Sequence, residues 1–220
     1  MGLWCGRVLT QTLRRIVPMS LYLRRRPLTP QLAPARLVDY LQALRDRSEL
    51  PGAVLEVGCF RGATTVVAGR LLREMGQERP YVCVDTFEGF VPDQFEVDVE
   101  HGTPESFGSG FAENPIETFE RTMRHHRLAV QAIQADIVEV DPAALPAQIS
   151  VCLMDVDLAV PIREGLGKVR PLMVPGGVML VDDCDEGTDW RGARVGYEEY
   201  MRSVGEAPHY TASGFGVVDC

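Results

Sequence analysis

Apolar residues in this chain come in short runs, and each run closes on acid. AVLEVG carries Glu56, YVCVD ends at Asp85, AVQAIQAD at Asp136, ISVCLMD at Asp155 and GVMLVDD at Asp182–Asp183. Short apolar runs bounded by turn residues read as buried strands. They predict strand 1 at 53–58, strand 2 at 81–85, strand 3 at 129–136, strand 4 at 149–155 and strand 5 at 177–183. Between the runs the apolar positions change to helical spacing. Leu37, Tyr40, Leu41 and Leu44 mark a helix over 35–47, and a second opens at Gly62, reaches Met75 and stops at Gly76. Further helices are predicted over 115–126, over 160–172 with Pro161 in its first turn, and over 191–204.

The connections carry their own signals. Pro175-Gly176-Gly177 predicts a tight turn into strand 5, and 142–148 a short turn or helix. Residues 86–113, rich in Gly, Pro and acid, predict a long loop of the kind that serves as an active-site lid. HYTASG followed by FGVVDC predicts a closing antiparallel hairpin. Strands alternating with helices give an α/β fold with a mostly parallel sheet and right-handed crossovers. Residues 1–48 read as an N-terminal helical arm or lid, and 49–220 as the main domain.

Composition narrows the function classes. The 220 residues carry net charge −9, but residues 1–30 hold six arginines and no acid, leaving −15 on the rest. So acidic a body excludes sequence-independent nucleic-acid binding, which needs a basic face. The arginine-dotted start lacks the continuous apolar stretch of a signal peptide. It reads as a cover over the body, with membrane contact by a basic amphipathic helix as the other reading. Nothing approaches the ~20 apolar residues of a membrane span. The six cysteines form no C-x-x-C pair, and Cys83 and Cys152 lie inside strand runs. This favours free buried thiols and a reducing cytoplasmic setting.

The acids line up along one rim of such a sheet, at the carboxyl ends of strands, where open α/β sheets bind ligands. Glu56-x-Gly58-x-x-x-Gly62 follows strand 1 and opens a helix. Its glycines allow a sharp turn and close approach of the backbone. A pyrophosphate-binding dinucleotide site wants G-x-G-x-x-G. The spacing here is instead the usual first motif of S-adenosylmethionine methyltransferases. In that reading Asp85 accepts the ribose hydroxyls and Asp136 receives the adenine amino group.

Asp155, Asp157, Asp182 and Asp183 follow strands 4 and 5. If these strands are neighbours, the carboxylates crowd together, which is unfavourable unless protons or a cation offset them. Oxygen-only ligands suit Mg²⁺, which would lower the pKa of a substrate hydroxyl and orient it. The plainer reading is a solvated turn at 182–183 and a helix cap at Asp157. Phosphatases of the haloacid-dehalogenase type also use D-x-D, but there it ends the first core strand, whereas three βα units come first here.

With EVGCFRGATT (56–65), VDTFEGF (84–90), MDVDL (154–158), VRPLMVPGGVMLVDD (169–183) and, more loosely, GARVGYEEYMRSVG (192–205), the chain resembles the macrocin O-methyltransferase family. Those enzymes methylate sugar hydroxyls of natural products such as antibiotics. The resemblance implies a Rossmann-like class I methyltransferase with a seven-stranded sheet, using S-adenosylmethionine and Mg²⁺. It puts the metal at Asp155, Asp182 and Asp183 and the ribose at Asp85. The chain departs from the family at Ala159-Val160-Pro161, where a Tyr-Ser-Thr-like stretch is usual. Leu158 stands where catechol-type relatives have a lysine, so Asp155 or Asp157 is the expected proton acceptor. His101, in the expected lid, is a second candidate, while His125 and His126 end a helix whose dipole favours a cation. The expected partner is a small hydroxylated acceptor, with a homo-oligomer left open. A nucleoside-binding protein that transfers no methyl group is the alternative from another class.

Overall fold

The computed structural model describes residues 30–112, 114–187 and 189–220. Six helices and seven strands alternate among them: α1 (Pro34–Asp46), β1 (Ala53–Val57), α2 (Ala63–Glu74), β2 (Tyr81–Asp85), α3 (Pro92–Glu100), α4 (Ile116–His126), β3 (Gln131–Gln134), β4 (Ile149–Met154), α5 (Ala159–Val169), β5 (Met173–Val181), α6 (Arg191–Ser203), β6 (His209–Tyr210) and β7 (Gly216–Asp219). The arm expected over 1–48 lies mostly outside these residues; its final helix is α1. No described helix is long and apolar enough to cross a membrane.

One sheet runs in the order β3-β2-β1-β4-β5-β7-β6. β3, β2, β1, β4 and β5 are parallel, while β7 is antiparallel to both β5 and β6. From β1 the chain winds outward through β2 to β3, then returns to place β4 on the other side of β1. Strand order therefore reverses between β1 and β4, and a crevice opens beyond their carboxyl ends.

Alternation along the strands divides the core in two. Leu55, Val57, Cys152, Met154, Met179 and Val181 face α5 and α6, where Ile162, Leu166, Tyr197 and Met201 cover them. Val54, Cys83, Val151, Leu153 and Leu180 face the opposite layer, covered by Tyr40 and Leu44 of α1, Val66 and Leu72 of α2, and Phe119 and Met123 of α4. Glu56 occupies a position on this second face and is 1% exposed. A strand buried on both sides carries no polar alternation, which is why these runs look continuously apolar.

Three expectations change. Strand 3 is shorter than its apolar run, because Asp136 Oδ1 accepts from the Val138 amide and turns the chain. Pro175-Gly176-Gly177 is no separate turn. It lies within β5, where pairing with β4 skips from Ile149↔Met173 to Val151↔Val178. Gly176, at φ +82°, donates to the Cys220 carbonyl and accepts from Arg47. The 86–113 segment is not a bare loop, since it contains α3 and a short 3₁₀ turn at Glu105–Phe107. Cys59, Cys83, Cys152, Cys184 and Cys220 are free thiols, four of them buried.

Candidate active site

A cleft of about 1690 Å³ opens at the carboxyl rim and is lined by Glu56, Gly58, Asp85, Asp136, Asp155, Asp157, Asp182 and Asp183 together. Every acid singled out in the sequence thus borders one space. It exceeds the ~300–1,000 Å³ usual for one ligand, leaving room for a cofactor and an acceptor side by side. A second cavity of about 710 Å³ lies at the opposite rim, around Arg79, Pro80 and Gln148, and none of these acids borders it.

The loop after β1 is held by hydrogen bonds to Asp85. Asp85 Oδ2 accepts from the amides of Cys59 (2.9 Å) and Phe60 (2.8 Å), and its Oδ1 from the amide of Phe87 (2.7 Å). Burial pushes this carboxyl up, and the three amides pull it back toward the charged form. Oδ1 keeps a lone pair for a further donor such as a ribose hydroxyl. Gly58 and Gly62 both have positive φ. A Cβ on Gly58 would stand 1.8 Å from the Asp155 carbonyl oxygen, and one on Gly62 2.4 Å from Met123 Cε. Backbone atoms, then, already require glycine at Gly58, and the positive φ favours it at Gly62.

Glu56 sits deeper. Its Oε2 accepts from Thr65 (2.9 Å) and Tyr81 (2.6 Å), and burial lifts its pKa to about 7. Asp136 accepts from the side chain of Gln94 on α3 at 2.5 Å, so the adenine-end acid also tethers the segment expected as a lid.

At the other end stand four aspartates. The Asp155 amide donates to Val57 and the Asp182 amide to Met154, which fixes both acids where β1, β4 and β5 run side by side. Asp155 and Asp157 are lifted well above the carboxylate range by poor solvation and by each other's neighbours, Asp182 and Asp183. Asp182 is raised to about 6 by burial and Asp183, with Arg36 opposing. Arg36, on α1, donates to Asp182 (2.8 Å), Asp183 (2.6 Å) and Asp185 (2.7 Å). The sequence reading missed this arginine. It lies 146 residues from Asp182, and no local pattern links the two.

Backbone strain marks the same rim. Phe60, Phe87, Asp157 and Asp183, which follow β1, β2, β4 and β5, all have φ between +47° and +63°. Left-handed backbone at a non-glycine residue costs energy and clusters at functional sites. Aromatic rings close the cleft mouth: Phe60, Phe90, Phe111 and Trp190 line it, with Phe95 and Phe107 packed behind. His101 is exposed at the end of α3 and does not border the cleft. His125 and His126 do border it, at the end of α4, where Arg70 meets His126 Nδ1 at 2.9 Å.

The donor set fits a hard divalent cation in kind. Its carboxylates are oxygen ligands, and of the four aspartates that border the cleft Arg36 is bonded to Asp182 and Asp183. Among the described residues, no three acidic, His or Cys side chains already close around one ion position.

This sheet order, with the glycine loop after β1 and acids at successive strand ends, is that of a Rossmann-like class I methyltransferase. Residues 55–184 match the family described as a methyltransferase domain, and the chain belongs to that family. It is 27% identical over 168 residues to the 8-demethyl-8-(2,3-dimethoxy-alpha-L-rhamnosyl)-tetracenomycin-C 4'-O-methyltransferase of Streptomyces olivaceus. That match covers 70% of this chain and 63% of the relative, so the chain spans less than two thirds of it. Its fold is similar to that of the O-methyltransferase NovP (TM-score 0.72, 22% identity, covering 84% of this chain and 78% of NovP). It is also similar to CalS11, described as a calicheamicin methyltransferase (TM-score 0.70, 20% identity, covering 96% and 90%). These findings support the wider class rather than the macrocin group in particular.

Proposed function

We propose that the chain is an S-adenosylmethionine- and Mg²⁺-dependent O-methyltransferase acting on a hydroxyl of a small natural-product acceptor, with a sugar hydroxyl as the preferred target. The observation that carries this reading is the meeting of the Gly58–Gly62 loop and Asp85 with four aspartates across the switch between β1 and β4. The relatives' descriptions as sugar or antibiotic methyltransferases point the same way.

In this reading Asp85 and the loop it holds seat the nucleoside, and Asp136 receives the adenine amino group. Asp155, Asp182 and Asp183 would hold the cation, which when bound lowers the acceptor hydroxyl's pKa. Asp157, two residues beyond Asp155 on the same rim, takes the hydroxyl proton. An acceptor held between these acids and the nucleoside would be oriented for transfer, and orientation of this kind supplies much of the rate. The aromatic mouth excludes water and holds the apolar part of the acceptor.

Calorimetry with S-adenosylmethionine and with NAD, followed by turnover on a panel of glycosides with and without EDTA, tests this. Binding of S-adenosylmethionine and methylation that EDTA abolishes and Mg²⁺ restores are expected. Preference for NAD would remove the cofactor reading. Turnover indifferent to EDTA would remove the metal.

A further inference from the structure

Arg36 enters the rim from outside the strand scaffold. Its Nε donates to the Ser213 carbonyl (3.1 Å), one terminal nitrogen to Oδ1 of both Asp182 and Asp183, and the other to Asp185. The side chain is only 8% exposed. A planar fork with five N–H donors therefore meets four separate acceptors, an arrangement no lysine reproduces. Asp182 and Asp183 each give Arg36 a single oxygen.

Helix α1 is pinned around this contact. Asp39 accepts from the Ser213 hydroxyl at 2.6 Å, and Tyr40 reaches the Tyr81–Glu56 pair on the inner face. A guanidinium anchored on so many sides is not a loose counter-ion that an arriving cation displaces. Carboxylates that ligate metals are commonly held by such outer hydrogen bonds, which fix their orientation.

We infer that Arg36 is a positioning residue: it aligns the Asp182–Asp183 pair so that the second oxygen of each is presented to the divalent cation. This rests on the metal reading above. Docking of α1 and alignment of the ligands are then one event, and the N-terminal helix is part of the reaction centre.

The test is Mn²⁺ binding by the full chain, read from the electron paramagnetic resonance of free Mn²⁺, in wild type, Arg36→Met and Arg36→Lys. S-adenosylmethionine affinity is measured alongside by calorimetry. Arg36→Met is expected to weaken Mn²⁺ about 10–100-fold while S-adenosylmethionine affinity stays within about threefold, and Arg36→Lys to recover only part of the loss. Mn²⁺ affinity in Arg36→Met equal to or above wild type overturns the inference, as does full recovery by lysine, which would make Arg36 a simple counter-charge. If Arg36→Met does not fold, Asp185→Asn takes its place, because Asp185 stands at the exposed edge of the fork. A smaller weakening in the same direction is expected there, and unchanged affinity overturns the inference. A wild type that binds no Mn²⁺ overturns the metal reading itself, an outcome distinct from all of these.

Discussion

Tyr81 donates its hydroxyl to Glu56 Oε2 at 2.6 Å, and the same hydroxyl meets that of Tyr40 at 2.8 Å, all three side chains being buried. The three link α1, β1 and β2 behind the glycine loop. Burial raises Glu56 from 4.5 to about 7, so the folded chain keeps a proton that the unfolded chain releases. The sign follows. Its stabilising proton is fully retained below about pH 4.5, and stability falls as pH rises through about 7. Glu56→Gln keeps the acceptor for Tyr81 without the charge. Its unfolding free energy should lose this slope, and the gap from wild type should change across that window by about 3 kcal/mol. Denaturant melts from pH 4 to 8 check this, and parallel slopes for both proteins would refute it.

Gly58 and Gly76 make a matched pair for testing the loop. Both have positive φ, but a Cβ on Gly58 would strike the Asp155 carbonyl, whereas one on Gly76 meets nothing within 4 Å. Gly76→Ala should cost about 1 kcal/mol of left-handed strain and leave cofactor binding intact. Gly58→Ala should cost several times more and abolish binding, because β4 has to move. Thermal melts with calorimetry separate the two, and equal losses would show that φ alone decides.

How far the sequence carried the site depends on how local each signal is. Strands β1, β2 and β4 were legible because burial on both faces writes itself as continuous apolar residues, and the acids behind them mark where burial ends. The rim of four aspartates was legible for the same reason. Arg36 was not, because its partners belong to the far end of the chain and an arginine on a helix looks like surface. The left-handed conformations of Phe60 and Phe87 leave no mark in residue type. Gly176 looked like a turn because glycine at positive φ serves a strand irregularity equally well.

Asp98 is another residue without a sequence signal. It is fully buried on α3, its Oδ2 accepts from the Ala159 amide at the start of α5, and Oδ1 has no partner. Gly192 leaves the space it fills, since a Cβ there would stand 1.4 Å from Asp98 Oδ1. Asp98→Ala strands the Ala159 N–H and should destabilise the chain by about 1–3 kcal/mol. Asp98→Asn should cost less, or stabilise at neutral pH, since burial raises this carboxyl to about 6. Wild-type stability from this group falls as pH rises from 3.8 through 6, and the asparagine variant should lack that fall. Hydrogen exchange of residues 86–112 in Asp98→Ala should rise ahead of global unfolding if Asp98 anchors the segment over the cleft.

Asp157 and Asp155 separate by role. If Asp157 takes the hydroxyl proton, Asp157→Asn lowers kcat by about 10²–10⁴-fold and leaves Mn²⁺ affinity close to wild type. Asp155→Asn should instead weaken Mn²⁺ along with turnover. Parallel loss of metal in both would place Asp157 among the ligands.

Trp190 packs against three rings at the cleft mouth: Phe107 at 4.6 Å, Phe90 at 5.5 Å and Phe111 at 6.2 Å between centroids. All are half-buried, so these rings do not complete the core. Phe90, Phe111 and Trp190 instead face the same space as the aspartates. Ring contacts of this geometry contribute about 0.5–1.5 kcal/mol each beyond the area they bury. Trp190→Ala should therefore raise KM for an acceptor with a flat apolar aglycone about tenfold or more, with a smaller change for the bare sugar. S-adenosylmethionine affinity should change less, because Asp85 holds the loop after β1 through the Cys59 and Phe60 amides, which Trp190 does not supply. Trp190→Phe should retain most of the wild-type KM. An equal rise for glycoside and free sugar would mean that the rings only hold the segment closed.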